Sequence, residues 1–212
     1  MASDHELLQA WGEGDAAAGN TLFDRHFEAL YRFFRNKAGD AVDDLVQATF
    51  LGCVEARGRF RGDASFRTWM LSIARRKLYD RFRERDRDAR RFDPEATSVA
   101  ALGISPSGAV ANKAEHRLLL EALRRLPLIS QVALELYYFE GMRGPAIAEV
   151  LGIPEPTVRG RLKRGVEQLR REIESGASSP GLAESTLGDL DGWAESIRER
   201  LVAQRPGSDD QG

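Results

Sequence analysis

Little in this sequence would suit a catalyst, a secreted protein or a membrane protein. Its single cysteine, Cys53, rules out an internal disulfide and is expected as a small buried apolar residue. Three scattered histidines, His5, His26 and His116, have no metal-ligand spacing, so neither a metal nor any other cofactor is expected. No apolar run nears the roughly 20 residues of a membrane span. The acidic opening Ser3-Asp4-His5-Glu6 lacks the basic-then-apolar pattern of a secretory signal, so the expected location is the cytoplasm. No segment alternates at the period of a strand, and there is no phosphate-binding loop, HExxH or GxSxG, so neither sheet nor enzyme is expected.

What is present is charge, strongly segregated. The chain has 212 residues, 30% charged and 42% hydrophobic, with a net charge of only −2. Residues 1–56 hold 4 cations against 10 anions, and residues 57–91 hold 13 against 5. Residues 157–171 hold 6 against 1, and residues 174–212 hold 3 against 8. Two basic blocks on predicted helices suit a two-point grip on nucleic acid, and the acidic flanks suit protein partners or internal screening.

The apolar spacing predicts helices almost throughout. Leu22, Phe23, Phe27, Leu30, Tyr31 and Phe34 repeat at helical intervals, as do Leu45, Val46, Phe50 and Val54 after Gly39-Asp40. A third helix is expected from about Ser65, with Phe66, Trp69, Met70, Leu71, Ile73, Leu78 and Phe82 inward and Arg75, Arg76, Tyr79 and Arg83 on the remaining arc. Residues 92–112 are rich in small residues and lose periodicity, which marks a flexible linker. Helices resume near Lys113, and after a flexible Gly176–Gly181 stretch the spacing of Leu187, Leu190, Trp193, Ile197 and Leu201 predicts an amphipathic helix over 186–203. The expected fold is all-α: two small helical domains, 1–91 and 113–175, joined by the 92–112 linker and followed by an acidic extension, 176–212.

The most informative segment runs Pro145-Ala146-Ile147-Ala148-Glu149-Val150-Leu151-Gly152-Ile153, then, after a gap, Thr157-Val158-Arg159-Gly160-Arg161-Leu162-Lys163-Arg164. That is the spacing of a helix-turn-helix: Ile147, Ala148 and Leu151 share a face, Gly152 permits the turn, and Val158 and Leu162 bury the second helix. The opposite face carries Thr157, Arg159, Gly160, Lys163 and Arg164, placed for phosphates and base edges in a major groove. An ordinary helix pair with a solvated basic face is the blander alternative.

Three segments in order resemble a bacterial sigma factor of the extracytoplasmic-function (ECF) group of the sigma-70 family, over roughly residues 7–174. Asp43-Asp44-Leu45-Val46-Gln47-Ala48-Thr49-Phe50 is similar to the helix of region two that binds core RNA polymerase. Phe66-Arg67-Thr68-Trp69-Met70-Leu71-Ser72-Ile73-Ala74-Arg75 is similar to the promoter-melting helix, and Leu123-Arg124-Arg125-Leu126-Pro127 followed by the helix-turn-helix is similar to region four. The resemblance implies promoter specificity for RNA polymerase, with no catalysis of its own. It further implies that region two binds the beta-prime coiled coil and opens the −10 element, while region four reads the −35 element and touches the beta flap. Asp43, Asp44, Leu45, Gln47 and Phe50 are then the candidate polymerase-binding residues. Arg59, Phe60, Arg61, Asp63, Arg75, Arg76 and Arg83 are the candidate −10 contacts, and Trp69 is read as core. Thr157, Arg159, Arg161, Lys163 and Arg164 are the candidate −35 contacts, with Arg161 and Arg164 on phosphates.

The chain also departs from the family. Ala48 stands where many members carry glutamate, and the neighbouring Thr49 is a candidate phosphosite that restores negative charge, about −1.5 to −2 per phosphate. Pro154-Glu155-Pro156 replaces the usual serine cap, which weakens capping without forbidding the helix. The acidic extension is expected to dock on the chain itself, on polymerase or on a regulator, and an anti-sigma factor or a Ser/Thr kinase are the candidate regulators. The competing function is a helix-turn-helix regulator that binds an operator without polymerase.

Overall fold

The computed structural model describes residues 2–60, 62–85, 92–105, 113–188 and 192. Among these, nine α-helices and two short 3-10 turns make up the regular structure. There is no strand, only an isolated bridge between Ser98 and Pro127. None of the described helices is long and apolar enough to cross a membrane.

The first four helices build the N-terminal bundle: α1 (Asp4–Gly12), α2 (Ala16–Arg35), α3 (Val42–Ala56) and α4 (Phe66–Arg85). Their starts follow side-chain capping. Ser3 and Glu6 form a capping box on α1, Asp15 accepts from the Ala17 and Ala18 amides of α2, and the Ser65 hydroxyl accepts from the Thr68 amide at 3.1 Å. The core they enclose is rich in aromatics. Phe34, Phe66 and Phe82 are fully buried, and Phe23 stacks on Phe50 with ring centres 4.5 Å apart. Cys53 is fully buried, and burial pushes its thiol up to about 12, so it behaves as a small hydrophobe. The short α1 is tied down twice. Asp4 pairs with Arg25 and His26, and Trp11 lies on α2 so closely that a Cβ at Gly19 would sit 2.6 Å from its indole nitrogen.

The C-terminal unit comprises α5 (Ala114–Arg125), α6 (Leu128–Tyr138), α7 (Gly144–Leu151), α8 (Glu155–Gly176) and α9 (Pro180–Gly188). Its own core is mostly aliphatic, with Leu118, Leu119, Leu123, Leu126, Leu134, Leu169 and Ile173 around a single buried aromatic, Phe139. The expected flexible stretch at Gly176–Gly181 is a short turn, because Pro180 opens α9, which lies against α5 and α8 through Ala183 and Thr186. Of the predicted 186–203 stripe, Leu187 packs on this core, whereas Leu190, Trp193, Ile197 and Leu201 lie outside the described residues.

The two units share one buried surface. Leu128, Val132, Leu136, Ile147 and Leu151 join the same apolar cluster as Leu30, Phe34, Leu71 and Leu78. Two acids, one on α6 and one just past it, sit in the seam. Glu135 accepts from Lys37, from Asn36 at 3.1 Å and from Gln131 at 2.9 Å, while Glu140, just past α6, takes a two-point grip from Arg32 at 2.8 and 3.0 Å and a further bond from Arg67. Lys37 is 0% exposed and Glu135 5%, so each charge depends on the other for solvation. The described part of the connecting segment, 92–105, is anchored to this seam. Val99 and Ile104 are buried, the Leu128 amide donates to Thr97 at 2.9 Å and the Ala100 amide to Arg124 at 2.9 Å. Residues 106–112 lie outside the described residues.

Candidate nucleic-acid and polymerase interfaces

The helix-turn-helix forms as its spacing dictates. Gly152 ends α7 in the left-handed region at φ +67°, a conformation glycine adopts without steric cost, and Val158 is fully buried beneath α8. Pro154 precedes α8 with no side-chain cap, the weak start that Pro154-Glu155-Pro156 implied. Thr157, Arg159, Lys163 and Arg164 are exposed along the first turns of α8. Among the described residues Arg159 is tethered only by a solvent-exposed bond to Glu155 at 3.2 Å, which a phosphate or base edge can displace. Arg161 departs from expectation. It is 9% exposed and pairs with Glu95 of the connecting segment at 2.6 Å, because helical phase turns it toward the seam rather than the groove.

On α4 the cations divide in the same way. Arg76 and Arg83 are exposed, Arg83 pairing with Asp80 at 2.8 Å. Arg75 is diverted: it donates to the Leu151 carbonyl at 2.7 Å and lies over the Tyr79 ring, so it joins α4 to α7 instead of facing solvent. Burial pushes the Tyr79 phenol up to about 12, against the opposing pull of that guanidinium. In the loop before α4, Arg59 and Asp63 are exposed and Phe60 is half-buried with its ring centre 5.0 Å from that of Trp69. Arg61 lies outside the described residues. Trp69, expected in the core, is only half-buried at the edge of an open hollow.

The α3 surface is both acidic and apolar. Asp43, Asp44 and Gln47 are exposed and Phe50 is half-buried, all bordering a groove of about 1240 Å³, open mouth included, with Phe23, Phe27, Leu51 and Val54. Leu45 is 6% exposed and belongs to the core, so it supports this surface from beneath rather than forming it. Leu51 at 57% and Val54 at 38% exposed are the surface apolar groups that the sequence reading did not assign to it. Thr49 does not serve as a phosphosite in this conformation. It is 0% exposed and its hydroxyl donates to the Leu45 carbonyl at 2.7 Å, so neither a kinase nor a phosphate has room.

An acidic, apolar-edged helix, an aromatic loop beside a basic helix, and a helix-turn-helix thus follow one another along the chain, and comparison with known proteins gives that order a name. Residues 22–88 match the family described as Sigma-70 region 2, and residues 116–169 match Sigma-70, region 4. The RNA polymerase sigma factor NccH of Alcaligenes xylosoxydans xylosoxydans is 30% identical over 179 residues, covering 81% of this chain and 95% of that protein. The chain is an ECF sigma factor of the sigma-70 family. It directs promoter-specific initiation of transcription by RNA polymerase. Another relative, the ECF RNA polymerase sigma factor SigM of Mycobacterium tuberculosis, is 30% identical over 171 residues, covering 80% of this chain and 84% of that protein. CnrH, solved in complex with the cytosolic domain of CnrY, superposes with a TM-score of 0.60 at 25% identity, covering 82% of this chain and 99% of that chain. The two family models begin after α1 and end before α9.

Proposed function

We propose that residues 1–91 act as the polymerase-binding and −10-melting unit and residues 113–175 as the −35-reading unit, with residues 92–112 between them and 176–212 an extension. Asp43, Asp44, Gln47 and Phe50, with Leu51 and Val54 beside them, meet the beta-prime coiled coil. The carboxylates set register and encounter rate against a basic surface, and the apolar groups supply the area. Arg76 and Arg83 hold the −10 strand by its phosphates, with Arg59, Phe60 and Asp63 at the point of strand opening. Thr157, Arg159, Lys163 and Arg164 engage the −35 duplex, Arg164 on phosphate and Arg159 or Lys163 on guanine edges. Arg75 and Arg161, turned into the seam, are left out of both sets. The factor works in the cytoplasm, adds no chemistry of its own, and is subject to an anti-sigma factor.

The observation that carries this reading is the open N-terminal face of α8, where four polar or cationic side chains stand exposed over a buried Val158. The test is a pull-down with core RNA polymerase followed by run-off transcription on genomic fragments. Discrete transcripts that need both core and this protein are expected. Duplex binding to an operator with no affinity for core would instead favour a conventional regulator.

A further inference from the structure

The groove between α6 and α8 is aromatic and cationic, and the stretch of chain that leaves α9 is apolar and acidic. We propose that residues 189–203 of this same chain dock in that groove and so cover the base-reading turns of α8. The masking rests on the reading of that α8 face as the −35 surface, whereas the docking does not.

The groove measures about 980 Å³ with its open mouth, and the half-buried Tyr138, Leu162 and Val166 make its floor. Tyr137 stands beside them at 47% exposed, with its ring centre 4.9 Å from that of Tyr138. The exposed Arg159, Lys163 and Arg170 form the rim against a single acid, Glu167. A contiguous apolar floor inside a cationic rim fits an amphipathic segment of opposite charge. The α3 groove does not fit the same segment, because Asp43 and Asp44 border it and repel further acids.

The sequence after α9 has the matching character. Leu190, Trp193, Ile197 and Leu201 fall at intervals of three and four, in phase with Ala183 and Thr186, the buried face of α9. Residues 189–197 hold three acids, Asp189, Asp191 and Glu195, and no cation. The point of departure also suits the groove. The Ser185 hydroxyl bonds the Glu115 carboxylate at 3.3 Å in the first turn of α5, and Leu119, one turn further on, shares a cavity wall with Tyr138. Thus α9 ends near the Tyr138 end of α6, and Gly192, the next described residue, is helical and half-buried. A helical 190–201 spans roughly 17 Å, the same length that separates Arg159 from Arg170 along α8. Direct linkage to α9 favours this copy of the groove over that of a second molecule, since a short tether supplies an effective concentration of about millimolar.

The experiment uses the full chain with photoreactive benzoylphenylalanine in place of Trp193, irradiated as a mixture of light and heavy isotopic copies. Crosslinks to α6 and α8 peptides of the same copy are expected. The second measurement is binding of the full chain to mixed-sequence duplex DNA at low salt. Trp193→Asp/Ile197→Asp adds two negative charges, which by repulsion alone weaken binding. Release of the segment should instead strengthen it about tenfold, the gain for a face otherwise open one-tenth of the time. Tyr137→Ala should produce a gain of the same sign from the groove side, and Arg159→Ala/Lys163→Ala added to either variant should remove it. Crosslinks to α3, crosslinks between copies, or none to α6 and α8 overturn the docking. Groove crosslinks with no gain from either variant overturn the masking, and the −35 reading stands if Arg159→Ala/Lys163→Ala still weakens binding. Groove crosslinks with a gain that Arg159→Ala/Lys163→Ala does not remove uphold the docking and take the −35 reading away from those two side chains.

Discussion

The two basic helices carry similar runs of charge and use them differently. On α8 the cations of the first turns face solvent, and only Arg161 turns inward. On α4, Arg67 reaches Glu140 and Arg75 reaches the Leu151 carbonyl, which leaves the outer flank to Arg76, Arg83 and their neighbours. The cause is packing. α4 is packed by α2, α3 and α7 together, so cations on its second flank meet protein rather than water, whereas the first turns of α8 leave Arg159, Lys163 and Arg164 exposed. A count of arginines therefore overstates the charge available to DNA, and more so for a central helix than for a peripheral one.

That division separates inward cations, which hold the molecule together, from outward ones, which the proposed reading gives to DNA. The largest effect is expected in the inward class. Glu135→Ala strands Lys37 without a counter-charge and should cost about 3–5 kcal/mol in urea unfolding, and Lys37→Met on that background should recover much of the loss. Next comes the outward class. Arg159→Ala should weaken duplex binding at the −35 element by about 1–3 kcal/mol and relax the choice of one base, read by binding to a panel of single-base variants. Arg164→Ala should lower the slope of log affinity against log salt by about 0.9. Arg161→Ala should leave that slope unchanged and lower the unfolding midpoint instead, and a reduced slope would move Arg161 to the outward class. The smallest effect concerns α1. Burial tends to raise the Asp4 carboxyl, but its bonds to Arg25 and His26 outweigh that and hold it below the usual carboxylate range. A carboxyl depressed in the folded state stabilises at neutral pH and stops doing so as acid protonates it. Acid titration followed by Trp11 fluorescence should show α1 loosening below the normal carboxylate range, and Asp4→Asn should abolish that step.

Much of this was legible because its signals are local. Gly152 and the apolar spacing around it specify the helix-turn-helix, and the acidic Asp43-Asp44 pair marks the exposed start of α3. What escaped depends on partners far along the chain. Helical phase leaves Arg75 on the free arc of α4 and the resemblance puts Arg161 on phosphate, whereas the Leu151 carbonyl and Glu95 that claim them lie 76 and 66 residues away. Thr49 is a candidate phosphosite by its place beside Ala48, yet a threonine that bonds back to the Leu45 carbonyl needs no water. The seam did leave a trace: Gln131 and Glu135 sit four residues apart inside the otherwise apolar run of α6, and such buried polar groups announce a partner.

The length of α8 has a mechanical consequence. Its 22 residues make a rod of roughly 33 Å, with Arg159 and Lys163 near one tip and Leu169 and Ile173 clamped at the other by α5 and α9. Its near tip is held as well, with Val158 fully buried and α6 and α7 packed on the helix, so the rod couples the proposed DNA face and the α5–α9 end as one stiff piece.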